Sequence, residues 1–420
     1  MSVEKKVPEI RFKGFTGEWE ENILGDQMTV TSVKRILQSD WTQSGVRFLR
    51  ARDIVSAYKN ESPSDYLYIS REKYNEYSQL SGKVKIGDLL VTGVGTIGVP
   101  LLITNNEPVY FKDGNIIWFK NENKIDGMFL FYSFTSEQIQ THIKHSAGIG
   151  TVGTYTINSG KNTPIQLPTR EEQAAIGNYF QKLDILINQH QQKYDKLSTF
   201  KKAMLEKMFP KQGETEPEIR FKGFSGEWKE KNLSSIATNI SDGDWIESNH
   251  IFNSGKYRII QTGNIGVGEF FDKPMHAKFF NQYDFDKIKA NEIYAGDILI
   301  SRLAEPAGRT VILPETGFKM VTAVDVTIIR PEDGFNSYFL MTKLNTDESL
   351  KAVSEGVSGT SHKRISRANL VKIMITLPSI EEQTAIGNYF QKLDALINQH
   401  QQQITKLNNI KQACLSKMFV

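Results

Sequence analysis

The chain states one pattern twice. PEIRFKGFTGEW at residues 8–19 returns as PEIRFKGFSGEW at 217–228, and LPTREEQAAIGNYFQKLDILINQHQQK at 167–193 returns as LPSIEEQTAIGNYFQKLDALINQHQQQ at 377–403. The offsets of 209 and 210 residues are far longer than any solenoid period, so the arrangement is a tandem duplication of a whole domain with an appendage. Between the shared stretches, residues 25–165 and 234–375 have diverged almost beyond recognition. Ends that stayed and middles that changed predict one shared assembly role and two different recognition roles.

A length of 420 residues with 39% hydrophobic content suits a soluble chain of several domains. No apolar stretch approaches the ~18 residues that cross a bilayer, and the start, MSVEKKVPEIRFKG, lacks the apolar core of a secretion signal. A cytoplasmic protein with no membrane association is expected. Cys414 is the only cysteine, which excludes disulfides within the chain and thiolate zinc sites. A net charge of +3 is uninformative by itself, but its distribution is not: Gln138 to Arg170 and Gly356 to Ile380 contain no Asp or Glu. These windows occupy the same place in both copies and carry Lys144, Lys161, Arg170, Lys363, Arg364, Arg367 and Lys372. A negatively charged neighbour is expected there.

Short apolar runs bounded by Gly, Asn and Asp predict strands at 46–54, 85–93, 99–103 and 115–120, matched by 257–265, 295–301, 309–313 and 325–330. Helical stretches follow near 126–145 and 336–354. The ends differ in kind. From Arg170 to Phe209 and from Ile380 to Phe419 there is no Pro and one Gly per copy. A seven-residue period places Ile176, Leu183, Ile187, His190, Leu197 and Met204 on one seam, and Ile386, Leu393, Ile397, His400, Leu407 and Cys414 on the other. Each helix would be about 57 Å long at 1.5 Å per residue. The expected fold class is α+β: two strand-rich mixed globular domains plus two long helices pairing as an antiparallel coiled coil, in a pseudo-two-fold tandem repeat. The expected divisions are 1–167, a helix at 168–210, 211–377 and a helix at 378–420.

Catalytic signatures fail one after another. GVGTIG at 93–98 matches a dinucleotide-binding pattern, but Pro100 and the strand-like VPLLI stand where a helix must begin, and the second copy has RLAEPAG there. No GK[ST] phosphate loop, no Pro-Pro, and no HExxH spacing among seven histidines occurs. The chain is expected to catalyse nothing alone and to hold no metal.

Two divergent domains, each opened by RFxGFxGxW, each carrying a GD[LI]L motif (Gly87 to Leu90; Gly296 to Leu299), and each followed by LPxxxEQxAIGxYF and a long helix, resemble the specificity subunit of type I restriction-modification systems across essentially the entire chain. The resemblance implies that each domain reads one half of a bipartite, asymmetric site in double-stranded DNA. It implies that the helices set the spacing and dock two methyltransferase subunits, with restriction subunits completing the complex. S-adenosylmethionine, ATP and Mg would then sit on those partners. The alternative reading of the same residues is a non-catalytic coiled-coil adaptor between proteins.

Groups present in both copies are expected to hold scaffold or phosphate, and groups that differ to read bases. Aligning VRFLRARDI with YRIIQTGNI pairs Arg47 with Arg258, Arg50 with Gln261, and Asp53 with Asn264. Arg to guanine and Gln or Asn to adenine are natural bidentate partners in the major groove, so Arg50 and Gln261 are the candidate base readers, Arg47 and Arg258 are expected on phosphate or structure, and Thr262 and Asn264 are further DNA-binding candidates. Further DNA-binding candidates are Thr92, Thr96, Ser301, Arg302 and Arg309 after the GD[LI]L strands. The acid-free windows add Thr151, Thr154, Tyr155, Ser358, Thr360, Ser361, His362, Lys363 and Arg364, and the early loops add Lys34, Arg35 and Trp245.

Overall fold

Short β-branched runs that end in Gly or Asn make strands, and Gln-, Lys- and Leu-rich stretches without breakers make long helices. The computed structural model describes residues 6–147, 153–303, 306–359 and 363–420. They form two compact units, residues 1–191 with 402–420, and residues 192–401.

In the first unit, one four-stranded sheet runs in the order Thr29–Thr31, Ile116–Lys120, Leu89–Thr92, Pro100–Leu102, and a second in the order Trp41–Thr42, Tyr68–Ile69, Val46–Leu49, Val109–Phe111. In the second unit, the first sheet keeps its order as Ile240–Asp242, Val326–Ile329, Ile298–Ser301, Thr310–Ile312. The second sheet becomes Lys278–Phe280, Tyr257–Ile260, Lys319–Thr322, Glu292–Ile293. One parallel pair is common to both second sheets, Arg47 opposite Val109 and Arg258 opposite Met320. A further ribbon ties the ends of each divergent region together, Glu20–Ile23 with Pro164–Leu167 and Lys229–Asn232 with Met374–Leu377.

The long helices span Arg170–Lys207 and Ile380–Met418. Their pairing is antiparallel. In the first unit Asp184 meets Lys411 and Phe180 meets Phe419, and in the second Lys201 meets Asp394 and Phe209 meets Phe390. Every seam position named above is buried or half-buried. Each unit therefore takes its core from one divergent domain, one helix start and one helix end: Leu415, Met418 and Phe419 join the first core, and Met208 and Phe209 the second.

Two expectations need correction. The runs 46–54 and 257–265 are strands only through Leu49 and Ile260; Ala51–Tyr58 is an α-helix and Thr262–Asn264 a 3-10 turn. Asp53 and Asn264 cause the change, each accepting from the backbone N–H three residues earlier, of Arg50 at 2.7 Å and Gln261 at 2.9 Å. The helical stretches also break in two, Gly127–Thr135 then Glu137–Ser146, and Ser337–Leu344 then Asp347–Glu355. Ser136 stops one helix and caps the next, and in the second copy Asn345 ends the first helix while Thr346 caps the second. GVGTIG is a strand-to-strand turn with Gly95 and Gly98 at φ +70° and +78°, where glycine alone is unstrained.

Candidate nucleic-acid interface

The residues shared by the two copies build a joint inside each unit. Arg11 fixes the opening segment by a bidentate pair, its Nε and Nη2 each 2.6 Å from a Glu172 oxygen, while Arg220 does the same to Glu382 at 2.7 Å. Glu172 and Glu382 are 0% and 1% exposed, so each buried carboxylate depends on its arginine. Phe12 meets Tyr179 edge-on, and Phe221 meets Tyr389 likewise. The Ile10 N–H donates to Lys417 O and the Ile219 N–H to Lys207 O, which satisfies carbonyls at helix ends that lack intrahelical donors. Gln173 Oε1 accepts from the Asp126 N–H at 3.0 Å and its Nε2 donates to Pro168 O; Gln383 repeats both contacts at Asn336 and Pro378. Gly177 and Gly387 let the short helices approach: a Cβ there would lie 2.9 Å from Phe129 N or 3.0 Å from Phe339 N. The EQxAIGxYF motif is thus explained by packing of a domain on its own helix.

The GD[LI]L aspartates are also structural. Asp88, 3% exposed, accepts from Lys85 N, Trp118 Nε1 and Asn121 N. Asp297 accepts from Tyr294 N and Arg330 Nη1.

The proposed DNA contacts fall into three groups. Several are spent inside the protein. Thr92 and Ser301 are 0% exposed, and Tyr155, 1% exposed, shares a 2.6 Å hydrogen bond with Thr163. Asn264 uses both amide atoms internally, Oδ1 on Gln261 N and Nδ2 on Phe271 O; it cannot also pair with adenine. Arg258, 4% exposed, is held by Asp272 at 2.5 Å, and Arg302 by Val324 O and Asp242. Arg47 lies over the Tyr66 ring at 4.1 Å, and Arg309 reaches Ser301 Oγ at 3.4 Å. Arg50 is the main correction. Its guanidinium is bidentate on Asp53 at 2.9 and 3.0 Å and also holds Asp65 at 2.9 Å. The hydrogen bond to Asp53 raises its pKa further above the ordinary arginine value, and no donor pair is left to face guanine.

A second group is presented to solvent. Lys34, Arg35, Thr96, Thr154, Trp245, Gln261, Ser358, Lys363 and Arg364 are exposed, while Thr262 is half-buried. Lys34 rests on Tyr77, Arg35 on Asp113 and Arg364 on Asp325. The third group, Thr151, Thr360, Ser361 and His362, lies outside the described residues.

Gln261 is the most suggestive of these. The capping Asn264 binds its backbone, so its side chain leaves the end of the parallel strand with no hydrogen-bond partner among the described residues. It borders a cleft of about 200 Å³ with Thr262, Lys273 and His276. The cleft loop is anchored by Arg258 on Asp272 and by Phe271 on Asn264. Lys273 and His276 escape a search based on copy-to-copy alignment because the offset that pairs Arg47 with Arg258 sets Ser62 and Asp65 opposite them, and neither is basic. The one available signal is that residues 273–283, KPMHAKFFNQY, contain no acid.

Among the described residues no helix is long and apolar enough to cross a membrane, and no cluster of three metal-ligating side chains occurs. The sequence profile of the family described as "Type I restriction modification DNA specificity domain" matches residues 18–199 and 225–409. The chain is 22% identical over 405 residues to the type I restriction enzyme MjaVIII specificity subunit of Methanocaldococcus jannaschii, covering 88% of this chain and 91% of that one. A putative type I restriction enzyme specificity subunit of Haemophilus influenzae is 30% identical over 169 residues, 39% of this chain and 40% of that protein. The fold matches the crystal structure of a type I restriction-modification S subunit from M. genitalium with a TM-score of 0.63, at 14% identity over 99% of both chains. With both copies matched by the family profile and the shared motifs accounted for as structure, the chain belongs to the type I restriction-modification DNA specificity family, as a DNA-recognition subunit and not a catalytic one.

Proposed function

We propose that residues 1–167 and 211–377 each read one half of a bipartite, asymmetric DNA site, and that the helices at 168–210 and 378–420 set the half-site spacing and dock two methyltransferase subunits. The observation that carries this reading is the contrast at one point of the fold, the end of the parallel strand: Arg50 is locked into carboxylates, and Gln261 is free at a basic cleft. Two unlike surfaces on one scaffold suit two unlike half-sites. Gln261 presents one donor and one acceptor in the arrangement that matches adenine N7 and N6, and Lys273, with Lys363, supplies phosphate contacts.

Docking of two equal partners is supported by Leu186 and Leu396. They occupy equivalent positions on the two helices and are 43% and 46% exposed. S-adenosylmethionine, ATP and Mg would be carried by the methyltransferase and restriction partners. The test is to map methylated positions in a host that expresses the partner subunits, with and without this chain. The expected result is a two-part motif that appears only with the chain; an unchanged methylation pattern would favour an adaptor between proteins.

A further inference from the structure

Each divergent domain grips the long helices through one half-buried carboxylate contact that the two copies reach by different routes. In the first unit the Tyr132 hydroxyl donates to Asp184 Oδ2 at 2.7 Å, and Lys411 Nζ, from the other long helix, lies 2.6 Å from Asp184 Oδ1. In the second unit the Tyr338 hydroxyl donates to Asp394 Oδ2 at 2.7 Å, and Lys201 Nζ lies 2.5 Å from Asp394 Oδ1. The aspartates and lysines are copies of each other, 210 residues apart. The tyrosines are not. By the offset that aligns Asp126 with Asn336 and Phe129 with Phe339, Tyr132 corresponds to Thr342 and Tyr338 to Met128.

The two tyrosine positions differ by four residues, one turn along the same face of the short helix. A phenol is long enough to reach the carboxylate from either turn. Retention by descent explains the shared Asp and Lys, but it does not explain one hydroxyl delivered from two positions to the same oxygen. Burial, with the neighbouring aspartate, raises both phenol pKa values, so each hydroxyl keeps the proton it donates.

We infer that the Tyr132–Asp184–Lys411 and Tyr338–Asp394–Lys201 triads are positioning devices that fix the angle of each recognition domain on the helix pair, and thereby the spacing at which its half-site is accepted. One carboxylate ties three elements together: the short helix of the domain, its own long helix, and the end of the other. Gln173 with Gly177, and Gln383 with Gly387, pin the start of the short helix; the phenol adds a second fixed point through its own reach, from six residues after Asp126 in the first copy and from two residues after Asn336 in the second. Any recognition domain joined to these helices needs a tyrosine hydroxyl at one of the two turns.

The inference rests on the helices acting as a spacer, and the experiment separates the two. The full chain, assembled with its methyltransferase partners, is tested on DNA sites with the native half-site gap and with gaps one base pair shorter and longer. Tyr132→Phe keeps the ring packing, so the melting temperature of the assembly reports folding, while discrimination against the altered gaps falls by about tenfold, as expected for one lost hydrogen bond to a charged group. The double variant Met128→Tyr with Tyr132→Phe moves the hydroxyl to the turn used in the second copy and restores discrimination. A purely structural bond would change stability without moving gap preference. Wild-type discrimination that persists unchanged in Tyr132→Phe and in Asp184→Asn overturns the triad as a positioning device. A wild-type complex that selects both half-sites but ignores the gap overturns the spacer reading and the inference with it.

Discussion

The two copies agree where a domain meets its helix and disagree where a sheet meets solvent. At the joint the agreement extends to single atoms: both bidentate arginines, both glutamines, both glycines and both carboxylates recur, each with the same partner. In the second sheet only the parallel pair and one neighbour persist. The first copy adds Trp41–Thr42 beside Tyr68–Ile69, and the second adds Glu292–Ile293 at the opposite edge, beside Lys319–Thr322. After the parallel strand one copy builds an α-helix and the other an open cleft. Repetition in this chain therefore marks internal attachment first. The near-identity of the ends, which by itself suggested docking of equal partners, has an internal cause that must be subtracted before any residue is assigned to a partner.

The largest expected effect is on the repeated arginine–glutamate pair. Arg11→Ala strands the buried Glu172 and should cost the first unit about 3 kcal/mol, with Arg220→Ala costing the second unit a similar amount; chemical denaturation of each variant checks this, and inequality between the copies would break the equivalence of the joints. Gly177→Ala and Gly387→Ala push a Cβ against backbone and should each cost about 1–3 kcal/mol, read as the loss of melting temperature in the same assembly. Next, Gln261→Ala should cost about 1–3 kcal/mol of discrimination at one base pair of one half-site, whereas Arg50→Ala should lower the stability of the first unit without altering base preference. The smallest effect belongs to Lys363→Ala, which should weaken binding to all sequences alike and reduce the slope of log affinity against log salt by about 0.9.

The long helices were legible because a seven-residue period and a 38-residue stretch without proline leave little else to form. Strand positions in the first sheet were legible for the same kind of reason, a local apolar run between turn residues. In the second sheet only the strand Val46–Leu49 or Tyr257–Ile260 was legible, since its pairing joins strands far apart in sequence and its fourth strand has only two residues in each copy. The candidate site was half legible. Gln261 stands out from composition and alignment, but Arg50 carries the same promise until Asp65 is seen to close on it from fifteen residues away. Asn264 misled for a different reason: a side chain that bonds its own backbone looks identical, in sequence, to one that faces solvent. The tyrosine triads were invisible because their shared members lie in helix sequence that the heptad already accounts for, and their tyrosines do not align.

The assembled complex, wild type and Gln261→Ala, can be offered a DNA pool randomised over both half-sites, and the bound sequences read out. The wild type should recover a two-part motif, and the variant the same motif with information lost at one base pair of one half only. Loss spread evenly over both halves, or no motif in the wild type, would contradict the division of this chain into a repeated joint and two separate readers.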